Sequence, residues 1–412
     1  MFFSRFSYSS CLLHLWVGML LIHLTARVAS AEEGKATNQV PRVARPKSLM
    51  SAIPPVKWQQ VEKSVDRGLA WLASQQAADG SFYTLPSGQP AITSLATMAF
   101  LSRGHQPGLG PYGERLDRAI DFVLSCQRSS GLFTLLAPGP VHEDKQPSHN
   151  AVYNHTISAL MLGEIYGQVS GQRAKAVKQA IERAIVFSHG LHHIRPKPPI
   201  DQGGWRYIHI NQWSPVDSDL SVTCWHLMFF RSAKNAEFDV PQADVDEAIA
   251  YVRRLWNPGS GAFSYDSRAL EANSNRAADH SRGMVGAGIL CLSMAGQHQT
   301  PMALAAGDWL LAHRYKRFGD LASTSDRFFY GIYYSSQAMM QLGGRYWEQY
   351  FPTVVDALLS GQSADGSWPP EIRSMGNAVG AGSEAMFGNV YTSALAVLSL
   401  TPPYQLLPIY QR

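Results

Sequence analysis

Two hydrophobic patterns alternate along residues 58–405 of this 412-residue chain. In the first, apolar residues recur at three- and four-residue steps with charges between them, which is typical of an amphipathic helix. These stretches are VEKSVDRGLAWLASQQ, ERLDRAIDFVLSCQ, KAVKQAIERAIVFS, ADVDEAIAYVRRLW, ALAAGDWLLAHRY and FPTVVDALLSGQ. In the second, the residues are almost uncharged, as in AITSLATMAFLS, NHTISALMLGEIYG, SDLSVTCWHLMFFRSA, GMVGAGILCLSMAG, YYSSQAMMQLGG and VYTSALAVLSL. Because a helix that is apolar on nearly all sides must be enclosed, the sequence predicts six pairs of one outer and one inner helix.

A repeated motif, Gln-x-x-x-Gly-x-aromatic, separates the helices of a pair. It occurs at Gln76/Gly80/Phe82, Gln127/Gly131/Phe133 and Gln362/Gly366/Trp368, in weaker form at Gly203/Trp205 and Gly261/Phe263, and as a decayed copy near Phe318-Gly319. Glycine suits the left-handed position that ends a helix, and the glutamine amide can reach free backbone groups at helix ends. Since the last inner helix shows no polar capping face, the sequence predicts that the six hairpins close into a ring.

This repeat resembles the prenyltransferase and squalene-oxidase repeat of terpenoid cyclases and protein prenyltransferase β-subunits. The resemblance covers about residues 58–405. It implies an all-α (α/α)6 toroid with an inner and an outer ring of helices. The stretches DQGGWRYI, SDLSVTCWHLMFFRSA, FYGIYYSSQAMMQLGGRYW and VYTSALAVLSL further resemble a group of exported bacterial proteins, well represented in planctomycetes, to which no activity is assigned.

The N-terminal residues have a different character from the repeats. Arg5 is followed by an uncharged run, and Ala29-Ser30-Ala31 matches the small-x-small pattern of signal cleavage, so residues 1–31 are predicted to be a signal peptide. An uncleaved membrane anchor is the alternative, because the run approaches the length that spans a bilayer. Residues 32–57 are rich in Pro, Lys, Arg and Ala and predict a flexible linker before one toroid domain, 58–405. We therefore expect export to the periplasm or the cell exterior, with the membrane involved only through the signal segment.

Charge and cysteine content exclude some partners. The net charge is +4 and the basic residues form no stripe, so no nucleic-acid partner is expected. Cys126, Cys224 and Cys291 show no CxxC spacing and lie in apolar helical contexts, which favours buried free thiols.

The catalytic acids that the resemblance implies are not matched. Class II terpene cyclases of this fold protonate an alkene with the middle acid of an Asp-x-Asp-Asp motif. The nearest match is Asp217-Ser218-Asp219-Leu220, which lacks the second Asp of the pair. Asp217 and Asp219 therefore stay weak catalytic candidates, and Asp219 is also a predicted N-cap of the following helix.

The metal site of the prenyltransferases is not matched either. Those enzymes hold zinc with Asp, Cys and His, whereas Cys224 and His226 lie about 200° apart around a helix and cannot chelate together. No Asp-rich magnesium motif is present, so the sequence predicts no metal site and no cofactor. His155 and His280 remain as weak catalytic candidates, although a core or capping role is more typical of single histidines.

Polar aromatic residues recur near the starts of the inner helices. If those helices begin at one mouth, as the resemblance implies, these residues ring it and bind a hydrophobic, isoprenoid-like small molecule. The predicted ligand-binding residues are Tyr153, His155, Trp205, Tyr207, Asp219, Trp225, Tyr330, Tyr333, Tyr334 and Tyr391. The alternatives are a divergent terpenoid cyclase or transferase, a scaffold for a protein partner, and a packed centre that binds nothing. A further alternative is a carbohydrate-active enzyme, for which the available carboxylates, without diagnostic spacing, are Glu143, Asp144, Asp217, Asp219 and Glu384.

Overall fold

A computed structural model describes residues 48–144, 146–210, 216–270, 280–375, 378–381 and 384–411. The predicted signal peptide and residues 32–47 of the predicted linker lie outside the described residues. The outer helices are α1 (Pro55–Ser74), α3 (Gly113–Ser125), α5 (Gly171–His192), α7 (Gln242–Arg254), α9 (Pro301–Ala312) and α11 (Gly344–Gly361). The inner helices are α2 (Ala91–Ser102), α4 (Pro147–Ile165), α6 (Leu220–Asn235), α8 (Arg282–Met294), α10 (Phe328–Leu342) and α12 (Gly388–Leu400).

The burial of the two helix sets follows the two sequence patterns. Every residue of α2 is buried, as its uncharged sequence predicts. In α3, burial is confined largely to a stripe that includes Leu116, Ala119, Ile120 and Val123. The inner helices pack in the order α2, α4, α6, α8, α10, α12, and α12 packs against α2. The predicted (α/α)6 toroid is therefore confirmed, with the inner ring closed on itself.

The repeated motif joins each hairpin to the next. Gly80 has φ +91°, and a Cβ added there would lie 2.2 Å from the carbonyl oxygen of Arg118. The Gln76 amide nitrogen donates to the carbonyl oxygens of Gly80 (3.0 Å) and Arg115 (2.8 Å). Because Arg115 belongs to α3, the amide reaches the neighbouring outer helix rather than the helix ends expected from the sequence.

The same contact closes the ring between the last and first repeats. The Gln362 amide nitrogen donates to the carbonyl oxygens of Gly366 and Ser64, both at 2.9 Å, and Ser64 belongs to α1. The Thr401 hydroxyl after α12 also donates to the Ser102 hydroxyl at the end of α2, at 2.9 Å. Residues about 300 positions apart are thus neighbours.

The folded body extends beyond the predicted limits of 58 and 405. The indole N–H of Trp58 donates to Met50 and that of Trp347 donates to Leu49, so the 3₁₀ turn Leu49–Ala52 packs on α1 and α11. At the other end, the 3₁₀ turn Pro408–Tyr410 packs on α6. Short turns of this kind carry no helical periodicity, and so the hydrophobic pattern did not reveal them.

The described residues also contain two short antiparallel hairpins. Strands β1 (Trp256–Asn257) and β2 (Ala262–Phe263) form the turn after α7, and β3 (Ile372–Met375) pairs with β4 (Ala378–Ala381) between α11 and α12. Cys126, Cys224 and Cys291 are buried free thiols, as predicted. Among the described helices, none combines the length and apolar character needed to cross a membrane.

Candidate functional site

A cavity of about 790 Å³ opens at the N-terminal ends of the inner helices. The inner helices contribute Ala91, Ile92, Leu95, His149, Asn150, Tyr153, Asn154, Ile157, Ser221, Trp225, Gly283, Met284, Tyr330, Tyr391 and Leu395. The connecting segments contribute, among others, Asp144, Arg206, Tyr207, Tyr265, Asp266, Arg268, Arg327, Glu384 and Phe387. All six inner helices therefore begin at one mouth, where their dipoles favour negative charge.

The deeper part of the cavity is apolar. Leu95, Ile157 and Leu395 lie one to three turns beyond the starts of α2, α4 and α12. Trp225 lies on Tyr333, with ring centroids 5.9 Å apart and ring planes at 11°. Apolar and aromatic side chains of this kind form a surface that favours a hydrophobic ligand.

Five tyrosines line the cavity: Tyr153, Tyr207, Tyr265, Tyr330 and Tyr391. The hydroxyl of Tyr153 pairs with the Ser221 hydroxyl at 2.9 Å, and those of Tyr207 and Tyr265 pair at 3.0 Å. Burial raises the pKa of all five phenols, that of Tyr265 to about 12. At neutral pH these groups are therefore neutral hydrogen-bonding partners and apolar ring faces.

Arg206 is a buried cation in the cavity wall. Its Nη1 lies 2.6 Å from Oδ2 of Asp219, and its guanidinium lies over the rings of Tyr207 (4.5 Å) and Tyr265 (5.6 Å). Burial alone would lower the pKa of Arg206, but the Asp219 carboxylate and the neighbouring phenols raise it above its ordinary value. Arg206 therefore stays charged at the wall of the cavity.

The two acids of the Asp-Ser-Asp-Leu sequence lie outside the cavity lining. Asp219 is 0% exposed, and its Oδ1 accepts from the Val222 N–H (2.8 Å) and the Ser221 hydroxyl (2.7 Å). Its predicted role as the N-cap of α6 is confirmed. Asp217 is also buried and accepts from Nε of Arg195 at 2.8 Å. Both carboxylates are engaged in structural contacts and do not line the cavity.

His155 replaces a hydroxyl residue in a repeated structural contact. Its Nδ1 accepts from the backbone N–H of Phe133 at 3.3 Å, and its Nε2 pairs with the Ser188 hydroxyl at 2.9 Å. The equivalent contacts in other repeats run from Phe82 to Thr93, from Trp205 to Thr223 and from Trp368 to Ser393. Burial lowers the pKa of His155 to about 3, so it is a neutral core residue outside the cavity lining.

Trp205 and His280 also lie away from the cavity. Trp205 is fully buried between the rings of His192 (4.2 Å) and His226 (4.6 Å). His280 pairs through Nε2 with the hydroxyl of Ser260, in the turn that joins β1 to β2. Trp205 thus packs in the connection from α5 to α6, and His280 in the connection from α7 to α8.

Tyr333 and Tyr334 support the cavity floor from beneath. The hydroxyl of Tyr333 pairs with that of Tyr410 at 2.6 Å, and the ring of Tyr334 meets those of Trp225 (5.6 Å) and Tyr330 (4.8 Å). Of the ten predicted ligand-binding residues, the lining therefore contains Tyr153, Tyr207, Trp225, Tyr330 and Tyr391.

A pair of buried glutamates lies at the cavity edge. Glu384 lines the cavity and accepts from the backbone N–H groups of Phe329 and Tyr330, both at 2.9 Å, at the start of α10. Burial, and then the charge and hydrogen bond of Glu371, raise the pKa of Glu384 well above its ordinary value. The pair thus holds a carboxylic acid proton next to the cavity.

Sequence reasoning missed Arg206, Tyr265, His149 and Glu371. A usable signal existed for His149, because it precedes Tyr153 by one helical turn and shares its face of α4. None existed for Glu371, which reaches Glu384 only because the β3–β4 hairpin folds back.

Comparison with known proteins identifies the fold. No family model and no curated protein matches this sequence. The type II terpene cyclase MstE from Scytonema is 14% identical over 85% of this chain and 100% of its own, with a TM-score of 0.53. The GH76 α-mannanase from Bacteroides thetaiotaomicron is 12% identical over 85% and 96% of the two chains, with a TM-score of 0.54.

A glycosyl hydrolase of family 88 from Bacteroides vulgatus is also similar in structure to this chain. It is 11% identical over 84% of this chain and 99% of its own, with a TM-score of 0.54. Terpene cyclases and glycosyl hydrolases therefore share this α/α toroid with the present chain, and at these identities the likeness establishes the fold alone.

Proposed function

We propose that the toroid binds an amphipathic small molecule, with a hydrophobic, isoprenoid-like chain against the cavity base and a polar or anionic head at the mouth. The observation that carries this proposal is the polarity gradient of the cavity. Leu95, Ile157 and Leu395 line its depth, whereas charged and hydroxyl groups line its mouth. Its volume of about 790 Å³ falls in the range of roughly 300–1,000 Å³ typical of small-molecule sites.

The electrostatics of the mouth favour an anionic head. Six helix N-termini point toward this region, each with a partial positive charge. Asp219 and Glu384 already accept from backbone N–H groups at the starts of α6 and α10. Arg206 places a guanidinium group, paired with Asp219, at the wall, and the neutral phenols of Tyr153 and Tyr207 supply hydrogen bonds.

One structural neighbour binds a ligand of this kind. A variant of MstE was solved in complex with geranylgeranyl dihydroxybenzoate, its substrate, which joins an isoprenoid chain to an acidic aromatic head. This is a property of that enzyme. It supports the proposal because the same fold there accommodates an amphipathic isoprenoid.

We also propose that the protein is exported and belongs to the exported bacterial repeat group named above. The support is the sequence of residues 1–31 and the four stretches that resemble that group. Native mass spectrometry of the protein purified from its own host tests export and ligand binding at once. We expect a mature chain cleaved after Ala31 that carries a bound lipid-like molecule. An uncleaved, ligand-free chain would contradict both.

Calorimetric titration with geranylgeranoic acid tests the cavity directly. Leu395→Trp fills the apolar base and Ala91→Leu narrows the wall, so each should weaken binding by about tenfold or more, or 1.4 kcal/mol. Val186→Trp, on the exposed face of α5, is the matched control and should bind as the wild type does. Equal binding by all three folded variants, with folding checked by circular dichroism, would rule out the cavity.

A catalytic alternative is favoured by the Glu371/Glu384 pair. A buried carboxylic acid beside an apolar cavity is the group that acid-catalysed chemistry requires, either on an alkene or on a glycosidic oxygen. Glu384 also caps α10, which accounts for the same contacts structurally. Conversion of the probe during the titration, or of a mannan oligosaccharide offered in its place, would favour the enzyme over the binding protein.

A further inference from the structure

Two histidines and an aspartate converge at the rim of the cavity, in the segment that enters α4. Nε2 of His142 lies 2.9 Å from Oδ1 of Asp144, and Nδ1 of His149 lies 3.5 Å from the same oxygen. All three ligand atoms lie within 4.8 Å of one another. Asp144 and His149 also line the cavity.

These separations match the edges of a metal coordination shell. Ligand atoms bound at about 2.1 Å are separated by about 3.0 Å at right angles and about 3.4 Å at a tetrahedral angle. The observed 2.9 and 3.5 Å bracket those values. Two imidazoles and one carboxylate form a donor set suited to zinc and neighbouring divalent transition metals.

The imidazoles are held in place by a neighbouring aromatic ring. The rings of His142 and His149 both pack on Tyr207, with centroids 4.7 and 4.2 Å from it. Nδ1 of His149 is buried and, within the described residues, has no hydrogen-bond partner.

We propose that His142, Asp144 and His149 bind one divalent transition-metal ion, whose remaining coordination positions face the cavity. Three protein ligands leave at least one position open, as in zinc sites that bind a substrate or an anion. The ion would then offer a positive charge to an oxygen of whatever enters the mouth. This proposal concerns the metal site itself and holds whether or not the cavity ligand is an isoprenoid.

A second histidine cluster provides the natural comparison. Nδ1 of His189 and Nε2 of His193 each lie 2.9 Å from a different oxygen of Asp244. Each imidazole thus has its own hydrogen-bond partner, and the contacts join α5 to α7 outside the cavity lining. In the rim cluster, by contrast, both nitrogens approach a single oxygen.

Cobalt titration of the metal-stripped full chain tests the site. The Asp144 side chain is 70% exposed, so Asp144→Ala should fold normally while removing one ligand. We expect the wild type to bind Co²⁺ with visible absorption bands. Asp144→Ala should weaken that binding by more than the roughly 10–100-fold that a second-shell change costs. His149→Ala should act in the same way, and Zn²⁺ should displace the cobalt.

His189→Ala is the matched control, since it disrupts the second cluster and leaves the rim intact. We expect it to retain the cobalt bands, and inorganic phosphate should shift them because the open positions face the cavity. Failure of the wild type to take up Co²⁺, or loss of the bands in His189→Ala but not in Asp144→Ala, would overturn the site. Bands that do not respond to phosphate would overturn the open positions. None of these readings depends on lipid binding, so failure of the proposed function would be recognised separately.

Discussion

At the residue scale, Asp219 satisfies two groups that would otherwise be buried without a partner. Its Oδ1 accepts from the Val222 N–H at the start of α6, and its Oδ2 pairs with Nη1 of Arg206. An unpaired buried cation costs more than a missing cap, because desolvation is then uncompensated. The Asp-Ser-Asp-Leu sequence, which resembles a catalytic motif, therefore stabilises the wall of the cavity.

Substitutions of Asp219 separate these two roles. Asp219→Asn keeps the cap and removes the charge, so we expect the free energy of unfolding to fall by about 3–5 kcal/mol as Arg206 loses its counterion. Asp219→Ala should cost about 1 kcal/mol more for the lost cap. Urea denaturation measures both losses.

The double variant Arg206→Met/Asp219→Asn provides the control for this prediction. It removes both buried charges, so it should recover most of the stability that Asp219→Asn loses. If Asp219→Asn is as stable as the wild type, the ion pair does not stabilise the fold.

At the element scale, the C-terminal 3₁₀ turn Pro408–Tyr410 is anchored to the inner ring by a buried carboxyl group. Oε2 of Glu164 accepts from the Ile409 N–H at 3.1 Å, and its Oε1 lies 2.5 Å from the Ser232 hydroxyl. Burial raises the pKa of Glu164 from its ordinary value of 4.5 to about 7. At mildly acidic pH the protonated acid can donate to Ser232 while it accepts from Ile409.

This raised pKa predicts a stability that falls as the pH rises. Between about pH 4.5 and 7 the unfolded chain has lost the Glu164 proton while the folded chain still holds it. The contribution of Glu164 to the free energy of unfolding is therefore fully present below the unfolded-state pKa. It is lost as the pH rises through the folded-state pKa, a change on the order of 3 kcal/mol.

Glu164→Gln mimics the protonated acid at every pH. Its amide can donate to Ser232 and its oxygen can accept from Ile409, so its stability advantage over the wild type should grow from near zero at pH 4.5 to its full value above pH 7. Glu164→Ala, which leaves both partners unpaired, should be destabilised throughout. Parallel pH profiles for Glu164→Gln and the wild type in urea unfolding would contradict the assignment.

At the scale of the whole molecule, the sequence predicts the ring of helices but not which side of each inner helix faces the cavity. The predicted inner-helix stretch AITSLATMAFLS coincides with α2. Its position could be predicted because the composition of the stretch and the flanking motif are local features of the sequence. In α10, by contrast, Tyr330 lines the cavity while Tyr333 and Tyr334 lie beneath its floor. A helix buried on every side has no hydrophobic pattern to orient it, so only packing decides which tyrosine faces the ligand.

Closure of the ring changes which parts of the molecule should unfold locally. In an open stack of repeats, the terminal units have one neighbour each and fray first. Here α1 and α12 are the first and last α-helices of the described chain, yet α12 packs on α1 and α2, and Gln362 bonds to Ser64. Each helix of the inner ring therefore has a neighbour on both sides.

Native-state hydrogen exchange read by mass spectrometry tests this closure. We expect amides of α1 and α12 to exchange as slowly as those of α6 and α8, since no repeat is terminal. Gln362→Ala removes three hydrogen bonds, of which the two with Ser64 cross the junction of the last and first repeats. At about 1 kcal/mol for each bond, it should speed exchange in α1 and α12 by roughly fivefold or more. The internal counterpart Gln127→Ala removes the equivalent amide bonds to its own turn and to α5, together with those that Oε1 accepts from Arg183. It should instead affect the region around α3 and α5. Fast exchange of α1 and α12 in the wild type, unchanged by Gln362→Ala, would show that the ring is open in solution.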